Sequence, residues 1–109
     1  MCGIVAISAS QPVAPDLYDS LIALQHRGQD SAGIVTFDGT HHIRKSQGLV
    51  RDIFNEEAIQ ELQGNQGIGH VRYPTAGGYS EDEVQPFYFQ DGVDIALAHN
   101  GNLINHDTL

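Results

Sequence analysis

The run Cys2-Gly3-Ile4-Val5-Ala6-Ile7-Ser8 is largely apolar and starts at the second residue, so any fold of this chain must accommodate a strand at its extreme amino terminus. A short apolar run of this kind reads as a strand buried on both faces. Its first residue is also the one cysteine of the chain. Removal of Met1 would leave Cys2 with a thiol and a free α-amine on the same residue. A free cysteine titrates near ~8.5 and an α-amine near ~7.7 to 8.0, so the amine can take the thiol proton, directly or through a water, close to neutral pH. No separate histidine base is then required. The plainer reading of Cys2 is a small apolar residue that starts a buried strand, because unpaired cysteine is among the most buried residue types. On this residue alone the plainer reading leads.

Further along, Pro15 and Asp16 suit a helix start, and Leu17, Leu21, Ile22 and Leu24 follow at helical spacing until Arg27-Gly28. Gly33 to Phe37 and Ile43 to Lys45 flank Asp38-Gly39, which predicts a hairpin with His41-His42 in an exposed loop beside the turn. Val50 to Leu62 carries apolar residues among acids and amides, as one or two short amphipathic helices would, and Gly64 ends it. Gly67 to Arg72, Phe87 to Phe89 and Val93 to Ala98 read as strands, the last entered by Asp91-Gly92, with a polar surface loop over Pro74 to Gln85. Strands mixed with two helical stretches predict an α+β layered arrangement.

Composition narrows the function classes. With 109 residues the chain suits one modest core and carries no linker or repeat that would divide it. Fourteen acids against five Lys and Arg give a net charge of −9, a field that repels nucleic acid and anionic membrane. A single cysteine excludes an intrachain disulfide, and no apolar run nears the ~20 residues of a membrane span. A reducing, cytoplasmic setting is the natural expectation. The six histidines show no recognisable zinc spacing, and no phosphate-binding glycine loop is present, so no metal or cofactor is assigned to these residues.

Four short segments are richer in polar residues and glycine than strand ends need: Cys2-Gly3, Gln25-His26-Arg27-Gly28-Gln29-Asp30, Gly69-His70-Val71-Arg72-Tyr73-Pro74-Thr75 and His99-Asn100-Gly101-Asn102. Asn100-Gly101 follows an apolar strand and can turn sharply, so that a side-chain amide and a backbone N–H face one oxygen. That pairing would make an oxyanion hole, although on the dipeptide alone an ordinary hairpin turn is the leading reading. Arg72 ends a strand, and its guanidinium fork suits a carboxylate or a surface acid.

Taken together and in this order, the four segments resemble the glutamine domain of the class II amidotransferases. Gln29 and Tyr73-Pro74-Thr75 point to the members of that class that act on phosphoribosyl pyrophosphate. Asparagine synthetases tend to read R-G-P-D at the first place, and glucosamine-6-phosphate synthases R-G-Y-D there and R-W-A-T at the second. The resemblance implies an N-terminal-nucleophile hydrolase fold, an αββα sandwich of two antiparallel sheets between helical layers, and hydrolysis of glutamine to glutamate and ammonia. It implies Cys2 as nucleophile, with its own amine as proton acceptor, and Asn100 and Gly101 as the oxyanion hole. Arg72 and Thr75 would hold the α-carboxylate of glutamine, with Arg27 to Asp30 as a supporting loop.

The resemblance covers the whole chain, but residues 1–109 are expected to form only the N-terminal portion of such a domain. The acidic residue that binds the substrate α-amine, the later strands and the phosphoribosyltransferase domain with its Mg2+ would lie past Leu109. The segment alone is expected to be inactive or incomplete and to self-associate into a homo-oligomer through exposed sheet faces and strand edges.

Overall fold

The computed structural model describes residues 2–24, 31–72, 84–91 and 93–97. Its elements run β1 (Cys2–Ser8), α1 (Ala14–Leu24), β2 (Ser31–Phe37), β3 (His41–Gln47), α2 (Val50–Ile53), α3 (Glu56–Glu61), β4 (Gln66–Arg72), β5 (Phe87–Asp91) and β6 (Val93–Leu97). Strands β1 to β4 form an antiparallel sheet in the order β1-β4-β2-β3, and β5 and β6 pair as a separate antiparallel sheet. The α+β class and every expected strand agree with the periodicities in the sequence, but β2 starts two residues earlier than expected, β3 extends two residues further at each end and β5 runs two residues further, through Asp91.

Helix α1 lies across β1 and β4, and its fit explains the glycines on that face. A Cβ at Gly67 would stand 2.7 Å from Leu17 Cδ1, one at Gly3 2.8 Å from Leu24 Cδ1, and one at Gly69 3.2 Å from Leu21 Cδ1. The strands omit side chains there so that the helix can approach the sheet closely. Leu17 and Leu21 are fully buried, each contributing about 1.5 to 3 kcal/mol relative to an exposed side chain. Ala32, Ile34, Val50, Ile53, Phe54 and Leu62 continue the same core over β2. The Tyr18 ring meets Phe54 edge-on at 6.5 Å.

The helical stretch after β3 divides in two at Phe54 and Asn55. Asn55 Oδ1 accepts from the Ala58 N–H at 2.8 Å and caps α3, while Arg44 Nε donates to the Ile53 carbonyl at 2.6 Å and satisfies the end of α2.

Three expectations need correction. Strand β1 packs on one face only: Gly3, Val5 and Ile7 lie against α1, whereas Ile4, Ala6 and Ser8 are exposed, because no described helix packs on their side of the strand. His41 and His42 belong to β3 and are half-buried; the turn is confined to residues 38–40, with Gly39 at φ 101°. Asp38 holds the turn by accepting from the Thr40 N–H and pairing with His42 Nε2 at 2.9 Å, and the His42 bond keeps the Asp38 carboxyl below its usual range. Finally, the end of the supposed surface loop is interior, since Val84 and Gln85 are buried.

Thr36 carries a buried cost. It faces α1, is fully buried, and among the described residues its Oγ1 has no hydrogen-bond partner. Thr36→Val keeps the shape and removes the stranded hydroxyl, so it is expected to raise stability by about 1 kcal/mol, read as a higher urea midpoint at unchanged slope. A lower midpoint would reveal a role for the hydroxyl.

Candidate active site

The central strand β4 assembles the site. Its last residue, Arg72, lies directly opposite Cys2 of β1 on one side and directly opposite Ser31 of β2 on the other. Residues opposed in this way across an antiparallel pair are about 4.5 to 5.5 Å apart at Cα. The three positions therefore form one row across the end of the sheet, with Ser31 about 10 Å from Cys2. Cross-strand partners share a face, so Ser31 and Arg72 lie on the side of the sheet opposite α1. Arg72 is half-buried, whereas Ser31 is only 1% exposed.

The second row supports the first. Ile4, His70, Gly33 and Lys45 occupy it in register, and His70 is fully buried. At Gly33 the segment 84–86 crosses the sheet: an added Cβ would overlap the Gln85 carbonyl oxygen and stand 2.7 Å from Pro86 Cδ. Lys45 Nζ fastens this crossing by donating to the Pro86 carbonyl at 2.9 Å. The chain that leaves β4 after Arg72 is thus brought back over the same face before it enters β5. Arg72, which carries a planar cationic fork, thus shares a row with Cys2, a pairing suited to an amino-acid carboxylate.

Of the residues singled out from the sequence, the fold brings Cys2 and Arg72 into register. Asn100, Gly101, Thr75, Arg27 and Asp30 lie outside the described residues. The strand expected to precede Asn100-Gly101 is present as β6. Ser31 went unremarked in the sequence; its one signal there is that it directly follows Arg27-Gly28-Gln29-Asp30, and only the strand order places it beside Arg72.

No family model matches the chain. Known proteins do. The amidophosphoribosyltransferase of Escherichia coli K12 is 57% identical over 107 residues, covering 96% of this chain and 21% of that protein. The enzyme of the same name from Methanocaldococcus jannaschii is 50% identical over 113 residues. A solved structure described as glutamine phosphoribosylpyrophosphate amidotransferase from B. subtilis, complexed with ADP and GMP, superposes on 99% of this chain with TM-score 0.82 and 38% identity. Another, described as the allosteric regulatory enzyme of purine biosynthesis, gives TM-score 0.85 at 40% identity.

The chain matches the N-terminal part of the amidophosphoribosyltransferases. It spans about a fifth of the length of these curated relatives. The resemblance read from four short motifs therefore extends along the whole chain, and the fold is the N-terminal part of the N-terminal-nucleophile hydrolase sandwich found in the amidophosphoribosyltransferases.

Proposed function

We propose that these residues supply the nucleophile side of the glutaminase site of an amidophosphoribosyltransferase. The observation that carries the reading is the register of Cys2 against Arg72, which puts the residue fit to attack a carboxamide one strand from the residue fit to hold a carboxylate. In this reading the Cys2 thiol gives its proton to its own α-amine and attacks the carboxamide carbon of glutamine. Asn100 and Gly101 stabilise the oxyanion, ammonia leaves with the proton from the amine, and water releases glutamate from the thioester. Arg72 and Thr75 hold the α-carboxylate, and Arg27 to Asp30 support the loop beside Cys2.

Ammonia would then meet phosphoribosyl pyrophosphate and form phosphoribosylamine for purine synthesis, a step assigned to a phosphoribosyltransferase domain and its Mg2+ outside these residues. The proposed setting is cytoplasmic; among the described residues no helix is long and apolar enough to cross a membrane.

The test is the intact mass of the protein before and after exposure to 6-diazo-5-oxo-norleucine, an electrophile shaped like glutamine. A Met1-free chain with a single adduct on Cys2 is the expected result. A folded, Met1-free chain that stays unmodified would overturn a preformed site in these residues.

One observation favours a second reading, a non-catalytic segment that self-associates. The exposed large apolar side chains Ile4, Phe37 and Ile43, 40 to 42% exposed, all lie on the sheet face opposite α1, away from the crossing at Gly33. A stable oligomer that resists labelling would support this alternative, and a labelled monomer would remove it.

A further inference from the structure

We infer that Ser31 is a substrate-binding residue of this site, its Oγ donating a hydrogen bond to the carboxylate of the amino acid held by Arg72. The inference rests on the glutaminase reading and assigns a further group to the same row of residues. Three observations carry it. Ser31 stands directly opposite Arg72 and on the same sheet face. It is 1% exposed. Among the described residues its Oγ has no hydrogen-bond partner.

A buried hydroxyl without a partner is costly, and an interior strand position is served better by an apolar residue. Thr36 provides the internal comparison, because its hydroxyl is equally stranded but faces α1, in a row with Gly67 and with His42, whose ring is already bonded to Asp38. Ser31 differs in its neighbour. A guanidinium has donors and no acceptor, so a ligand seated on Arg72 presents anionic oxygens, and a serine one strand away has one proton to give. Such a bond to a charged acceptor is among the stronger ones. The ligand class is an α-amino acid, recognised at its carboxylate end, with Cys2 on the far side of Arg72 left for the reacting end.

The experiment measures the rate of Cys2 alkylation against the concentration of 6-diazo-5-oxo-norleucine, separating the half-saturating concentration from the limiting rate. Iodoacetamide, which needs no amino-acid recognition, reports the thiol itself. Ser31→Ala is expected to raise the half-saturating concentration roughly 10-fold or more, with the limiting rate and the iodoacetamide rate unchanged. Ser31→Cys, similar in size but a weaker donor, is expected to fall between, with adducts on Cys2 counted separately by peptide mapping, and answers the question if the alanine variant does not fold. Thr36→Val should leave the half-saturating concentration where it is. An unshifted value in both Ser31 variants overturns the inference alone, as does an equal loss of reactivity toward both reagents. Reaction with iodoacetamide but no saturable labelling of the unsubstituted chain overturns the glutaminase reading, and this inference with it.

Discussion

Cys2→Ala is expected to lower glutamine hydrolysis by about 10⁴-fold or more while the fold and its unfolding midpoint stay in place. The measurement is ammonia release by a polypeptide extended to the length of the relatives, since the chain spans about a fifth of them. Without the thiol, no covalent intermediate forms, and only binding and oxyanion stabilisation remain. The fold should tolerate the change because position 2 begins an edge strand, and alanine asks nothing more of that place than cysteine does. Cys2→Ser is expected to be nearly as damaging: a serine hydroxyl is far harder to deprotonate than a thiol, and an α-amine of pKa ~8 is a poor base for it. Substantial turnover in the alanine variant would move the nucleophile elsewhere and remove the proposal.

Gly33→Val should cost about 3 kcal/mol, at the upper end of the usual range for overpacking. Judged by local preference the same change should help, because valine favours strands and β2 is an interior strand. The structure reverses that expectation. The position for a side chain at residue 33 is filled by the Gln85 carbonyl and the Pro86 ring, with Lys45 Cβ 2.7 Å away on the neighbouring strand. Backbone cannot rotate aside as a flexible side chain does, so residues 84–86 must lift off the sheet. Lifting them would break the Lys45 bond to Pro86 and uncover His70 in the same row. The check is a urea titration together with amide exchange: a lower midpoint is expected, with early loss of protection at residues 84–86. A midpoint that rises would mean that this crossing is not the packed state.

These two positions also show where reading the sequence works and where it stops. The extent of β1, the run of α1, the Asp38-Gly39 turn and the helical stretch after β3, though not its division at Phe54 and Asn55, were legible, because each depends on a local period or on a turn residue. Cys2 and Arg72 were legible as candidates because their chemistry is distinctive. The crossing at Gly33 was not, since the contact joins residues more than fifty positions apart and lies at the end of a polar stretch. The exposed face of β1 was not, because Ile4 and Ala6 read as apolar whether or not anything covers them. Ser31 was passed over because a serine at the start of a strand is unremarkable until the order β1-β4-β2 sets it beside Arg72.

The glycines beneath α1 have an effect that reaches the chemistry. Shifting β1 by one residue along β4 would turn every one of its side chains to the opposite face, and Ile4 would then press into the space that Gly3 leaves for Leu24. The helix thus works as a ratchet pawl: it accepts one alignment of the two strands and blocks the next. Cys2 is opposite Arg72 in that one alignment. Leu17, Leu21 and Leu24 touch no substrate in the proposed reaction, yet they decide where its nucleophile stands.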